Sequence, residues 1–499
     1  MAEFFITILI IFYALAILFV LFHSLFDAHL IFHYIRSKIK GAQKKAPQPI
    51  TYFPQVTLQL PVYNELYVVE RLLDAVSQIH WPAENLEIQV LDDSTDETTD
   101  FIAGKVALMK LKGIKVHHIR RNNRDGYKAG ALKHGLSLAQ GEFIAVFDSD
   151  FVPAPDFLHA TIPHFYNDAI GMVQTKWGHI NKSASWLTGL QAMALDGHFT
   201  IEQSGRNAGG YFINFNGTAG VWRRQAIIDA GNWQADTLTE DLDLSYRAQM
   251  AGWKFAYLED YLTPAELPPM VSALKSQQYR WTKGGAETAR KNMKKLWRSP
   301  QPLGVKMHGA FHLVYSIGFV CIILYVLLTV PLLFVKQYYP AYDVVFTFSK
   351  IAGLSFFIYI LHYAISYMSS TEGPVMKRAG RFIIDFPFFV SLFIGLSFNN
   401  SLGIIKGYLG IKSSFIRTPK FNQLNDLKKM VSNKYVKTRI DWITITESLL
   451  VVYFLFGIIT AVRFENFGSL PLLFMAFAGF CMMIYFTLDE IKLLRRVNG

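Results

Sequence analysis

Two kinds of apolar pattern divide this chain. Toward both ends, uncharged apolar runs extend for about 20 residues, the length an α-helix needs to cross the hydrocarbon core of a bilayer. Between them, from residue 55 to about residue 300, the apolar runs shorten and alternate with stretches whose apolar positions recur every three or four residues. The short runs predict buried strands at 56–60, 86–91, 114–119 and 143–147. A helix is predicted where Val68, Val69, Leu72, Leu73 and Val76 share one face. Strand alternating with helix predicts a parallel sheet covered on both faces. Pro47, Pro49 and Pro54 mark a linker ahead of it. The expected organisation is a membrane helix with a basic flank at 1–45, an α/β domain at 46–305 and a second membrane region at 306–499.

The long runs lie at 4–22, 311–335, 351–368, 443–462 and 470–488. Met1-Ala2-Glu3 is not the basic start of a cleaved signal, so the first run reads as a retained transmembrane helix. Residues 382–398 stand apart, because Asp385 and Pro387 interrupt them. If that segment spanned, the loop carrying Arg417, Lys420, Lys428, Lys429, Lys434, Lys437 and Arg439 would lie on the outer side. So basic a loop belongs inside. Residues 382–411 therefore read as interfacial helices, leaving one span before the α/β domain and four after it.

Composition sharpens this picture. The chain of 499 residues is 52% apolar, carries 41 Phe and 24 Tyr, and has a net charge of +11. Such a charge admits nucleic acid, a membrane surface or anionic substrates. The basic residues gather at the edges of apolar segments, at 36–45, 283–298 and 377–381, which favours the bilayer over nucleic acid. The same pattern puts the α/β domain in the cytoplasm. A bacterial inner membrane fits, and a Golgi membrane would carry the same signal. Cys321 and Cys481 sit in apolar runs, so no disulfide framework is implied.

Candidate chemistry collects at the predicted strand ends, where open α/β sheets bind ligands. Asp148 and Asp150 follow the strand 143–147. Residues two apart on an extended chain point the same way, so these carboxylates can converge on Mg²⁺ or Mn²⁺. Alone, such a pair is more often a solvated turn. Asp92 and Asp93 follow the second strand and can accept hydrogen bonds from a base or a ribose, or simply cap a turn. In Gly126-Tyr127-Lys128-Ala129-Gly130, glycines permit close backbone approach and Lys128 can meet phosphate. Thr239-Glu240-Asp241 offers a carboxylate base, and equally an ordinary helix cap. Gln277, Arg280 and Trp281 fall on one helical face. There Arg280 can fork two phosphate oxygens and Trp281 can offer a flat face to a sugar. No histidine spacing suggests a metal site. Trp177 and Trp186 are better placed in a core than along an acceptor groove.

Six elements stand in order: Pro61-Val62-Tyr63-Asn64-Glu65, Leu91-Asp92-Asp93-Ser94-Thr95-Asp96, the segment 124–132, Phe147-Asp148-Ser149-Asp150, Thr239-Glu240-Asp241-Leu242-Asp243 and Gln277-Gln278-Tyr279-Arg280-Trp281. Together they resemble the family 2 glycosyltransferases of GT-A fold. Within that family they look most like the processive membrane group of cellulose and hyaluronan synthases, and above all the cellulose-synthase-like mannan and glucan synthases. The segment 215–223, with Gly217 and Thr218, and Arg417-Thr418-Pro419-Lys420 look like that subgroup too.

The resemblance implies a Rossmann-like α/β domain between about five transmembrane helices. It implies inverting transfer of a hexose from GDP-mannose or UDP-glucose to a growing β-linked polysaccharide. Asp241 would be the base, with Glu240 beside it. Glu65, Asp92, Asp93, Lys128, Asp148, Gln277 and Arg280 would bind the nucleotide sugar, Asp148 and Asp150 the metal, and Trp281, Gly217 and Thr218 the acceptor. The stretch around Arg417 falls where related synthases place a mobile loop, and a lipid-headgroup patch fits nearly as well. No soluble domain is read after the last span, and a single helix precedes the catalytic domain. That leaves open a narrow pore or one built by a homo-oligomer. A glycolipid synthase resembling ceramide glucosyltransferases is the alternative, and a catalytically silent subunit is a third.

Overall fold

The computed structural model describes residues 1–41, 50–343, 346–347, 352–413, 418–422 and 440–498. Arg417 and most of the basic loop after it lie outside the described residues.

A seven-stranded sheet forms the centre of the α/β domain. Its strands are β1 (Val56–Val62), β2 (Leu86–Asp92), β3 (Val116–Arg120), β4 (Phe143–Val146), β5 (Ile170–His179), β6 (Gly220–Arg223) and β7 (Lys254–Ala265), in the order β3-β2-β1-β4-β6-β5-β7. β1 pairs parallel with both β2 and β4. The chain leaves β1 on one side and returns on the other, so a crevice opens beyond the carboxyl ends of these strands. The fully parallel sheet expected from the alternation is corrected at one strand. β6 runs antiparallel to β4 and β5.

Two apolar cores flank the sheet. One joins alternate residues of β1, Val56, Leu58 and Leu60, to helix α2 (Val69–Ser77) through Leu72, Leu73 and Val76. The other joins Ile144 and Val146 to Leu132, Trp222 and Trp233. Burying such side chains is worth about 1.5–3 kcal/mol each. Polar residues inside β1 are matched across the sheet. Thr57 donates to Glu87 at 2.7 Å, and Gln59 faces Gln89.

The membrane-type helices begin with α1 (Ala2–Lys40), whose 39 residues make it about 58 Å long. Only its first half resembles the expected span. The second half lies against the α/β domain, with Leu30 against Gly205 and Lys38 paired to Glu259 at 3.1 Å. Helix α3 (Val271–Arg298) leads out of the domain, and α4 (Ile317–Tyr338) runs antiparallel to α1, setting Tyr325 beside Tyr13 and Leu332 near Ile6. Helix α5 (Ala352–Ser370) packs parallel to α1, Ser355 bonding Ser24 and Ile358 meeting Leu30. Helices α6 (Val375–Tyr408), α7 (Trp442–Arg463) and α8 (Leu470–Asn498) complete the bundle.

Among the described residues, five helices are long and apolar enough to cross a membrane: Glu3–Lys40, Ile317–Tyr338, Val375–Tyr408, Trp442–Arg463 and Phe467–Arg495. The number matches the expectation, but the membership does not. By length and composition α6 qualifies, whereas the described part of α5 does not. The interfacial helices expected at 382–411 are one continuous helix of 34 residues that carries Pro387 within it. Packing nevertheless holds α6 along the α/β domain. Phe388 meets Trp186, Asn399 donates to the Lys275 carbonyl at 3.0 Å, and Gly403 lies against Tyr279.

Candidate active site

The loops after β1, β2 and β4 meet one face of α3 and the first turn of Glu240–Met250 around a cleft enclosing about 190 Å³. Most of the expected site residues line it: Glu65, Asp93, Lys128, Asp148 and Asp150 from the sheet side, and Glu240, Asp241, Gln277, Arg280 and Trp281 from the helix side. β4 ends at Val146, so Asp148 and Asp150 reach the cleft from the turn that follows rather than from strand alternation.

Lysines hold these carboxylates. Lys128 Nζ lies 2.6 Å from Asp148, donates to the Gly217 carbonyl at 2.8 Å, and stands 3.9 Å from Glu240. Burial works against its ammonium, but Asp148, then Glu240, outweigh burial and raise its pKa. On the other side Lys420 Nζ lies 2.6 Å from Asp150 and 3.8 Å from Glu65. Its pKa too is raised, because Asp150 and Glu65 overcome the cost of burial.

Asp241 stands at the amino end of Glu240–Met250. The expected alternative of a capping box is not realised, since the Thr239 side chain makes no cap hydrogen bond and its hydroxyl pairs with Thr288 at 3.1 Å. Burial, reinforced by the Glu240 charge and opposed by Lys128, pushes the Asp241 carboxyl up to about 7. Glu240 is raised as well, again chiefly by burial. A buried carboxylate titrating near neutrality is suited to accept a proton from a hydroxyl. Gly217 adopts φ +81, and a Cβ there would fall 2.9 Å from an Asp241 oxygen, so only glycine leaves that carboxylate room.

Two expected ligands take other roles. Asp92 does not line the cleft. Its carboxylate accepts from the Ser94 amide at 2.8 Å and faces His118 at 2.9 Å, and these bonds overcome burial and lower its pKa. It fixes the turn that presents Asp93. Thr218 is fully buried and accepts from the Asp148 amide at 2.9 Å, so it positions the carboxylate turn rather than an acceptor. The glycines of 126–130 answer the loop's own geometry. Gly126 adopts φ +71, and a Cβ on Gly130 would strike the Asp125 carbonyl.

Tyr63, Arg124, Thr418 and Lys420 also line the cleft; no site role was assigned to Tyr63 or Arg124, while Thr418 and Lys420 belong to the stretch expected to be a mobile loop or a lipid-headgroup patch. Arg124 follows the third strand within a quoted motif, and that position was the available signal. Trp177 lines the cleft while packing on Phe151 and Phe199, whereas Trp186 is partly exposed.

A second cavity of about 1000 Å³ begins where the cleft ends. Asp241, Gln277 and Trp281 border both. It continues between α1, α4, α5 and α6, past Tyr315, Phe319, Ile322 and Phe393.

The two carboxylates past β4 fit a hard divalent cation. They are oxygen donors on one turn, and no cluster of three or more His, Cys, Asp or Glu that could enclose a metal occurs among the described residues. That donor set leaves coordination positions for phosphate oxygens and water.

Residues 54–284 match the family described as "Glycosyltransferase like family 2", so the α/β domain is a glycosyltransferase family 2 domain. The chain is 41% identical over 272 residues to glucomannan 4-beta-mannosyltransferase 7 of Arabidopsis thaliana, covering 54% of this chain and 48% of that protein. It is 39% identical over 292 residues to glucomannan 4-beta-mannosyltransferase 1 of Cyamopsis tetragonoloba, covering 58% and 55%. The chain thus spans about half the length of the curated relatives it matches. A mannosyltransferase from Pyrobaculum calidifontis, solved in complex with GDP-Man and Mn²⁺, superposes with a TM-score of 0.50 at 18% identity, covering 72% of this chain and 100% of that one. The shared fold is the expected GT-A fold.

Proposed function

We propose that this chain is a membrane-embedded, inverting glycosyltransferase that moves a hexose, mannose first among candidates, from a nucleoside diphosphate donor to a growing β-1,4-linked polysaccharide. The observation that carries the reading is the position of Asp241. It lies where a lysine- and carboxylate-lined cleft opens into an apolar cavity between the membrane-type helices, and its pKa is raised to about 7. The names of the relatives, glucomannan 4-beta-mannosyltransferases, support the sugar and the linkage.

In this mechanism Lys128 and Arg280 hold the diphosphate, and Trp281 stacks on the terminal acceptor sugar. The acceptor hydroxyl attacks the anomeric carbon from the face opposite the departing phosphate. The new C–O bond forms as the C–O bond to phosphate breaks, inverting the centre, and the hydroxyl proton passes to Asp241. Asp148 and Asp150 would hold Mg²⁺ or Mn²⁺, which when bound supplies positive charge to offset that of the leaving diphosphate. The elongating chain would enter the second cavity. The α/β domain is taken to face the cytoplasm, where nucleotide sugars are made.

The test is incorporation of radiolabel from GDP-mannose and from UDP-glucose, in separate assays with the full chain in membranes. A long product degraded by a β-1,4-mannanase is expected. A single labelled lipid would move the chain to the glycolipid synthases, and no product from either donor would refute the proposal.

A further inference from the structure

The helix that presents Arg280 and Trp281 to the cleft does not end there. α3 has 28 residues, and the face that carries Gln277, Arg280 and Trp281 continues through Gly284, Glu287 and Thr288. This continuation meets residues 233–239, which form neither helix nor strand and lead directly into Glu240 and Asp241. A Cβ on Gly284 would fall 2.8 Å from the Thr239 amide nitrogen, so the two backbones are in contact. Thr288 meets the Thr239 hydroxyl at 3.1 Å. Glu287 accepts from the Leu238 amide at 2.8 Å, just ahead of the base in the chain.

Glu287 is itself held. Its other carboxylate oxygen lies 3.6 Å from the ammonium of Lys283, one helical turn earlier, which is fully buried and also donates to the Ser413 hydroxyl. A carboxylate that accepts a backbone N–H while paired with a buried cation makes a strong, directional contact. Glu287 borders neither the cleft nor the cavity, so it acts through the turn it grips and not on a substrate. Arg280 and Glu287 lie on one continuous helix, separated by two turns or about 10 Å along its axis. One end of this stripe faces the diphosphate region, and the next two turns hold the segment that carries Asp241.

We propose that Glu287 is a positioning residue for Asp241, fixing the base-bearing turn at the reach from Arg280 that transfer requires. This rests on the proposed reading of Asp241 as the base and names the residue that sets it in place. A diphosphate anchored on one part of α3 and a base anchored on the next cannot drift apart, and a misplacement of about 1 Å costs transfer on the order of a hundredfold.

Two substitutions of similar length separate this role from a general contribution to the fold. Glu287→Gln keeps an oxygen that accepts from the Leu238 amide, whereas Glu287→Met offers only a weak thioether acceptor. Both are neutral, so both deprive Lys283 of its carboxylate alike, and the same two changes in a Lys283→Met background take that ion pair out of the comparison. Initial rates with GDP-mannose or UDP-glucose, whichever donor wild type uses, are measured on the solubilised full chain beside binding of the matching nucleoside diphosphate and a thermal melt. The kcat of Glu287→Gln should stay within about threefold of wild type and that of Glu287→Met should fall by about 10- to 100-fold. KM for the donor and nucleotide affinity should stay within about twofold in both, with similar melting temperatures. Equal kcat for the Gln and Met variants in both backgrounds would overturn the proposal, because the acceptor oxygen would then be irrelevant. So would a Met variant that loses nucleotide affinity along with turnover, or that melts well below the Gln variant in both backgrounds, since the damage would then be to the cleft or the fold. An active Asp241→Asn, or a wild type that transfers from neither donor, would remove the base and the proposal with it.

Discussion

In the cleft, charged side chains from many separate loops and helices line a space of about 190 Å³, and two lysines bridge its carboxylates. The adjoining cavity is about five times larger, at about 1000 Å³, and Phe, Leu and Tyr are the commonest residues of its wall. The difference follows from what each would have to hold. A nucleoside diphosphate is multiply charged and must be fixed in one pose, which directional, partly buried charge pairs achieve. A polysaccharide is neutral and must advance by one sugar per turnover. Aromatic and aliphatic walls let its C–H faces slide, where a full set of hydrogen bonds would trap it. Asp241 and Trp281 border both regions, so chemistry is expected only at the seam.

That contrast breaks first at Asp241. Asp241→Asn keeps the shape and removes the proton acceptor, so transfer should fall by about a thousandfold or more. GDP binding should change little, because the base does not hold the donor. Turnover assayed beside equilibrium GDP binding checks this, and an active variant would remove the base assignment. Next come Asp148→Ala and Asp150→Ala, or chelation of the wild type, each expected to cost about a hundredfold in turnover. These should weaken GDP binding as well, which Asp241→Asn should not.

How much of this was legible beforehand depended on distance along the chain. Asp148, Asp150, Lys128, Arg280 and Trp281 were readable because each sits in a short motif at a predicted strand end or on one helical face. Of the neighbours Asp92 and Asp93 the sequence favours Asp93 for the nucleotide, and the pleat, which points adjacent residues to opposite sides, turns Asp92 toward His118 and the Ser94 amide instead of the cleft. Lys420 was legible only as part of a stretch that a mobile loop or a lipid-headgroup patch would fit, since its partner Asp150 is 270 residues away. The direction of β6 was equally hidden, because four residues of strand read the same in either orientation. Asp385 and Pro387 suggested a break that the structure does not have, and the sequence did not show that Phe382, Phe386 and Phe389 pack against other helices along one continuous α6.

A smaller effect follows from the raised carboxyl at the seam. As a base, Asp241 must be ionised, so kcat/KM should rise with pH and level off above about 7. Below that it should fall about tenfold per pH unit, as the protonated fraction grows. The neighbouring charge of Glu240 is part of the cause, so Glu240→Gln should lower the Asp241 pKa and move the acid limb to lower pH. A pH–rate profile of the two proteins that coincides on its acid side would show that another group titrates there.

The mildest change is expected on the other side of the seam, where it separates the two regions most cleanly. Ile322 lines the cavity but not the cleft. Ile322→Trp would narrow the passage without touching donor, base or carboxylates. The rate of the first transfers and GDP affinity should stay within about twofold of wild type, as for a site with no charged contact to the donor. The polymer should nevertheless become several-fold shorter, because a chain that stalls in the passage dissociates before the next addition. Sizing labelled product by gel filtration, with initial rate and GDP binding measured on the same preparation, makes the distinction. Lower GDP affinity with unchanged product length would mean that the cavity serves the donor site and does not receive the product.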